Sequence, residues 1–292
     1  MIWLSKKRYT FLMILPTLLI YSTYIILPIL IAFYYSLTKF TGIGTPEFVG
    51  LKNYLHLFQD PLFWKSLKNT LIVLFVTIVI LLPSSFLLAL LLNKKMKGGN
   101  VLKALNFAPA VIAPILVGLI WVFILDPQIG FINVFFSKIG LAGLAHKWIG
   151  GETLTPYSVG LVESWRILGF IATIFLAGLT TIPQEIYEAS EMDGATGLQK
   201  LFYIIIPMLN ETFKINIVLI ITFGFKIFET VIQLTNGGPN HLSEVLVTYM
   251  YNITFISSEY GYGMAIASVT FIITILFTGI YLMFTRKEAE NE

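Results

Sequence analysis

The sequence predicts an all-α integral membrane protein with six transmembrane helices, and three observations lead there. The 292 residues are 57% hydrophobic and only 12% charged, about half the charge of an ordinary soluble domain. Apolar runs of about 20 residues, the length a span needs, recur along the chain. Lysine and arginine collect in alternate connecting segments, as the positive-inside rule describes for a multi-span protein.

The runs are Phe11–Leu37, Thr70–Leu92, Ala104–Leu125, Ser158–Ile182, Ile215–Leu234 and Met264–Phe284. Lys6, Lys7 and Arg8 precede the first like the positive end of a signal peptide. The run is too long for such a peptide and no small-residue cleavage site follows it, so an uncleaved helix is expected. Pro16, Pro28, Pro83, Pro109 and Pro114 lie within the spans, where they are tolerated and can kink a helix. Residues 1–292 read as one transmembrane domain.

Orientation follows from the basic residues. With the N-terminus inside, the inner segments hold Lys6, Lys7, Arg8, Lys94, Lys95, Lys97, Lys103, Lys200, Lys214, Arg286 and Lys287. The outer segments hold fewer: Lys39, Lys52, Lys65, Lys68, Lys138 and Lys147. Both termini are therefore expected in the cytoplasm of a plasma or inner membrane, with the Arg286–Glu292 tail a solvated end.

Several function classes find no support. The chain has no cysteine, which removes disulfides, thiolate metal sites and a Cys nucleophile. His56, His146 and His241 show no metal-ligand spacing, and no His-Glu-x-x-His run or nucleophile elbow occurs. No Gly-x-x-x-x-Gly-Lys-Ser/Thr loop is present to cradle a nucleotide. No catalytic residue, metal site, bound cofactor or nucleic-acid partner is expected.

The cytoplasmic segment Glu188–Pro207, EASEMDGATGLQKLFYIIIP, interrupts the apolar pattern. Pro183 opens a short helix expected over Gln184–Met192. Glu185, Glu188 and Glu191 recur every third residue and form one acidic stripe, with Ile186 and Ala189 on another side. Gly194 suits a left-handed helix end, and Asp193 can cap the next helix. That helix is expected to carry Leu198, Leu201, Phe202 and Ile205 before Pro207. On pattern alone this is a helical hairpin, and an ordinary solvated hairpin fits equally, since periodicity names no partner.

Charges inside the spans are the second informative feature. Glu163 and Arg166 are three residues apart, as are Lys226 and Glu229, so each pair can share a helix face. Charges at such depth are costly and face a bundle interior or a wet cavity. Mutual neutralisation that fastens helices together and a role in a transport path both remain open.

The hairpin resembles the EAA signature of permease subunits of binding-protein-dependent ABC importers: Glu-Ala-Ala, three residues, Gly, nine residues, Ile-x-Leu-Pro. Here it reads Glu188-Ala189-Ser190, three residues, Gly194, nine residues, Ile204-Ile205-Ile206-Pro207, with Ser190 and Ile206 as the departures. Other stretches are similar to the carbohydrate branch: Thr235-Asn236-Gly237-Gly238-Pro239, Trp165-Arg166, Phe170, Leu176-Ala177-Gly178-Leu179, Ile182-Pro183 and Leu51-Lys52-Asn53-Tyr54. The group resembled is the first of the two permeases in maltose- and glycerol-phosphate-type systems. Unlike the maltose type, this chain has no large inserted outer domain.

The resemblance implies a type I importer permease of methionine-importer-like fold, forming half of a sugar or oligosaccharide pathway. It implies a second homologous permease, two cytoplasmic ABC ATPase subunits that hold ATP and Mg, and an extracytoplasmic sugar-binding protein. Coupling to the ATPase would fall to Glu188, Ala189, Asp193, Gly194, Ile204 and Pro207. Sugar contacts would come from Arg166, Phe170, Phe223, Gly224 and Ile227, beside the intramembrane charges Glu163, Lys226 and Glu229. An ion-coupled secondary transporter is the alternative; it needs no coupling hairpin. A membrane enzyme or scaffold is a weaker one, lacking a catalytic constellation.

Overall fold

The computed structural model describes residues 7–94 and 96–289. Lys6 and Lys95, counted above among the inner cations, lie outside the described residues. So do the side chains of Lys7, Arg8, Arg286 and Lys287 and the last residues of the tail.

The described chain is almost wholly helical. In order it forms α1 (Lys7–Tyr21), α2 (Leu27–Ser36), α3 (Lys52–Gln59), α4 (Pro61–Asn93), α5 (Gly99–Val111), α6 (Pro114–Leu125), α7 (Phe131–Lys138) and α8 (Thr155–Thr181). It continues with α9 (Gln184–Met192), α10 (Gly197–Lys200), α11 (Ile206–Met208), α12 (Asn210–Phe225), α13 (Glu229–Thr235), α14 (Leu246–Tyr251) and α15 (Tyr260–Ala289). Thr38 and Lys39 pair antiparallel with Phe48 and Glu47, a two-residue ladder after α2.

Four helices are long and apolar enough to cross a membrane alone: Thr10–Ser36, Pro61–Asn93, Thr155–Thr181 and Tyr260–Thr285. Two bent pairs complete six spans, Gly99–Val111 with Pro114–Leu125 at 95° and Gly197–Met208 with Asn210–Phe225 at 68°. Hydropathy located these spans, the fifth only over residues 215–225, and missed the bends. At the first bend, Ile112 and Ala113 are extended, with ψ of 135° and 131°. Pro114 is the cause, because it disfavours helical backbone in the residue before it. Pro16, Pro83 and Pro109 sit inside continuous helices.

The fifth span departs most from expectation. Ile215–Leu234 is not one helix: α12 stops at Phe225 and α13 starts at Glu229. Composition is blind to this break because no proline marks it. Gly224, a weak helix former, lies so close to Leu74 that an added Cβ would approach its side chain to 2.7 Å. Restarting at Glu229 also puts an acid in the first turn of α13, where the helix dipole favours it.

The hydropathy pattern predicts one transmembrane domain over 1–292, and within it the chain forms two compact units. One unit holds residues 1–63 and 249–272; the other holds 64–248 and 273–292. In the first, the Leu51–Tyr54 stretch acts as a fastener. The Asn53 amide donates to the carbonyls of Ser36 and Thr38 at 2.8 and 2.9 Å, and the hydroxyls of Tyr54 and Ser36 share a 2.6 Å hydrogen bond. The Asn53 bonds satisfy the Ser36 carbonyl, which the end of α2 leaves without an intrahelical partner, and the Thr38 carbonyl in the ladder that follows.

In the second unit, α8 is the central element, burying Val159, Val162, Ile167, Ile171, Ala172, Phe175 and Leu179. Phe175 meets Phe86 and Phe213 edge-on at 5.4 and 4.7 Å, a geometry that adds to area burial. Gly169 faces α5 so closely that a Cβ would overlap the Asn106 carbonyl. Only glycine allows that approach.

Candidate functional site

Two places in the second unit carry the residues singled out in the sequence. The first is the hairpin of α9 and α10. Gly194 follows α9 with φ of 73°, the left-handed end expected of glycine. The N–H of Asp193 donates to Ala189, that of Gly194 to Glu191, and that of Ala195 to Ser190, at 3.0, 3.1 and 3.0 Å. Asp193 ends α9 and does not cap the next helix. That role belongs to Thr196, whose side chain accepts from the Gln199 N–H while Gln199 accepts from the Thr196 N–H at 2.7 Å. The Thr-x-x-Gln spacing is a capping box, a signal that was legible in the sequence. Lys200 closes the hairpin on Glu191 at 2.9 Å.

The second helix also runs further than expected. It continues from Gly197 through a wider π-type turn over Leu201–Ile205 and through Pro207 to Met208, and bends only at Leu209. The π-type turn accounts for this, since Pro207 falls at the start of a new α-turn where a missing N–H costs little. Ile204 and Pro207 are thus parts of one helix.

The hairpin surface combines acid and oil. Glu185, Glu188, Ala189, Glu191, Asp193 and Gly194 are exposed, and the Gln184 amide donates to Glu188 at 2.8 Å. Around the stripe stand Met192, Leu198, Phe202 and Tyr203, exposed by 88%, 69%, 60% and 80%. Acidic and large apolar side chains are thus exposed together on the hairpin. Ser190 is buried with its hydroxyl turned back onto the Tyr187 carbonyl at 2.6 Å. It therefore presents no polar group outward where the signature has alanine. Among the described residues the Tyr187 hydroxyl is buried without a partner, and burial pushes its pKa up.

The second place is the middle of α8 and the break after α12. Glu163 is buried, takes both Nε and Nη2 of Arg166, and accepts from the Thr230 hydroxyl of α13 at 2.9 Å. The two residues share a helix face as their spacing suggested. Lys226 and Glu229 do not: the break separates them, and the ion pairs among the described residues do not include one between them. Both are exposed.

One turn along α8, Phe170 meets Phe223 edge-on at 5.9 Å. Trp165 is 38% exposed and meets Trp121 edge-on at 5.5 Å. Of the five residues expected along a sugar path, Arg166, Phe170 and Phe223 come together with partial exposure. Gly224 is buried against Leu74, and Ile227 is 5% exposed in an apolar cluster with Val73, Val159 and Val231. Helical spacing could not reveal this, because the break rotates Ile227 away from the face it would share with Phe223.

The Thr235–Pro239 loop is an ordered knot. Asn236 and Gly237 are left-handed, and a Cβ on Gly237 would lie 2.8 Å from the Glu244 carboxylate. Lys65 donates to the Asn240 carbonyl at 2.6 Å and Asn69 to that of Glu244 at 2.9 Å. The motif fastens the end of α13 to α4.

A third cluster, in the first unit, went unnoticed in the sequence. Asp60 precedes Pro61 and accepts the Leu62 N–H at 2.8 Å, together with the hydroxyls of Tyr249 and Tyr262. Burial opposes its ionisation, yet the tyrosine and backbone hydrogen bonds outweigh that and hold the carboxyl below its ordinary value. The Asp-Pro pair is a helix-start signal; the tyrosines, far along the chain, gave none.

Residues 82–289 match the family described as binding-protein-dependent transport system inner membrane component. The probable ABC transporter permease protein YurN of Bacillus subtilis (strain 168) is 33% identical, with 98% of this chain and 99% of that protein covered. The trehalose/maltose transport system permease protein MalF of Thermococcus litoralis is 30% identical, with 97% of each covered. The arabinooligosaccharides transport system permease protein AraP of Bacillus subtilis is 33% identical over 95% of this chain and 88% of its own length. A solved bacterial ABC transporter involved in import of the acidic polysaccharide alginate has a chain of the same fold. It superposes with a TM-score of 0.80 at 22% identity, over 97% of both chains. The chain belongs to the family of binding-protein-dependent transport system inner membrane components.

Proposed function

We propose that this chain is the permease subunit of an ATP-driven importer of a sugar or oligosaccharide and forms half of its translocation path. The observation that carries this is the hairpin of α9 and α10. An acidic stripe and exposed apolar side chains stand together on this hairpin. Relatives named for starch products, arabinooligosaccharides and trehalose/maltose support the sugar.

The hairpin docks in the cytoplasmic ATPase, with Glu188, Ala189, Asp193, Gly194, Ile204 and Pro207 shaping the contact. Both termini lie in the cytoplasm, and residues 1–292 act as one permease domain. The chain itself catalyses nothing; ATP and Mg belong to two ATPase subunits. A second homologous permease supplies the other half of the path and an extracytoplasmic protein delivers the sugar. Closure of the ATPase dimer pushes two hairpins together, and the spans rock between inward- and outward-facing states, a two-state transition biased by ATP and by the loaded binding protein. Arg166, Phe170 and Phe223 line the path, where aromatic faces and a few fixed polar groups suit a sugar. Glu163 holds Arg166 in place, and Gly224 and Ile227 act only by packing.

The test is purification from native membranes through a tag on this chain. A second permease and two ATPase copies should copurify, and sugar uptake in proteoliposomes should require ATP. Uptake by this chain alone, driven by an ion gradient, would overturn the reading in favour of a secondary transporter.

A further inference from the structure

The mechanism above leaves two charges without a task. Lys226 and Glu229 flank the break between α12 and α13, and both are exposed while Phe225, Ile227 and Thr230 around them are buried. Two contacts bracket the break against α8: Phe170 with Phe223 on one side and Glu163 with Thr230 on the other. Residues 163–170 are the middle of the span Thr155–Thr181. The break therefore lies near mid-membrane depth.

Non-helical backbone at that depth is tolerated only where protein buries it or a water-filled cavity wets it. Exposed charges there face a wet cavity or a bundle interior, not lipid. Irregular backbone and exposed charge coincide at the same residues, beside Arg166. We infer that Lys226 and Glu229 line the translocation path and act as a donor and an acceptor for the hydroxyls of an uncharged saccharide. The pair carries no net charge, so this half of the wall offers hydrogen bonds without selecting an anion. The inference rests on the proposed role as a permease of an ATP-driven importer.

The chain has no cysteine, so Lys226→Cys and Glu229→Cys each create one thiol. In the complete complex, reconstituted with its partner permease, ATPases and binding protein, a membrane-impermeant methanethiosulfonate is applied from either side. Modification is read on this subunit by mass. Both thiols should react from the cytoplasmic side without nucleotide and from the opposite side after trapping with Mg-ATP and vanadate. A change of at least tenfold in rate is expected for each side. Ile215→Cys, on an exposed apolar position of α12, should show no such exchange of sides.

Where one variant does not assemble, the other carries the test; failure of both to assemble would make the pair structural and overturn the inference. Thiols that stay unreactive, or react from one side regardless of nucleotide, would also overturn it while ATP hydrolysis remains stimulated by the binding protein. Absence of ATP-driven uptake in the unsubstituted complex would instead count against the permease reading. Uptake should include neutral malto- or arabino-oligosaccharides, and uptake of an oligouronide alone would overturn the neutral-saccharide assignment.

Discussion

Glu163 of α8 accepts the Thr230 hydroxyl of α13 at 2.9 Å and holds Arg166 of its own helix with the rest of its carboxylate. One buried carboxylate thus joins two helices and aims a cation. Breaking a buried ion pair by removing one partner is strongly destabilising, about 3–5 kcal/mol. Arg166 keeps 18% of its side chain exposed, so the lower end applies.

Glu163→Ala should therefore lower the detergent melting temperature clearly, whereas Thr230→Val should cost about 1 kcal/mol, a single hydrogen bond. Arg166→Ala should impair uptake even where the complex assembles. Thermal melting and uptake measured side by side separate the two roles. Unchanged uptake in assembled Arg166→Ala would remove it from the path.

Asp60 should give the first unit an acid-sensitive anchor. Its carboxyl lies below the ordinary 3.8 in the fold, so its stabilisation is complete above about pH 4. It is lost as pH falls through the lower folded value. Asp60→Asn should flatten the acid side of a melting-versus-pH curve below pH 4 and lower stability at pH 7. An unaltered acid limb would show that the tyrosine hydrogen bonds do not favour the ionised form.

Asn53 should matter to the end of α2 more than its exposed neighbour Lys52. Asn53→Leu leaves the carbonyls of Ser36 and Thr38 without their donor, a loss of about 1–3 kcal/mol. Lys52→Ala should stay within about 0.5 kcal/mol, as for surface positions generally. Hydrogen exchange of the 36–54 segment would report the difference, with faster exchange expected only in Asn53→Leu.

Much of this was legible in residues alone, for physical reasons. Span length is set by bilayer thickness, so hydropathy found six spans. Gly194 at a left-handed helix end and the Glu163–Arg166 pair followed from local geometry. What stayed hidden was non-local or lay in the backbone. The break at Lys226–Phe228 carries no proline and leaves no mark in the hydropathy. Gly224 and Ile227 are path candidates through the family resemblance alone, and both are buried. Asp193 is a cap candidate by residue type, but the Thr196–Gln199 box three residues on is the one that caps the next helix. The tyrosines on Asp60 come from the far end of the chain, and no local pattern pairs them.

The central claim is that the hairpin couples the spans to an ATPase. Space around Gly194 is empty within the chain, so a side chain there meets only the left-handed strain, about 1–2 kcal/mol. Gly194→Val and Glu188→Lys should thus insert and fold normally.

The most direct measurement is binding-protein-stimulated ATP hydrolysis by the reconstituted complex carrying Gly194→Val, with Glu188→Lys beside it. Weakened ATPase retention and loss of stimulation, with insertion and melting near those of the unsubstituted chain, is the expected result. Normal stimulation in Gly194→Val would contradict the account and reduce the hairpin to a solvated loop.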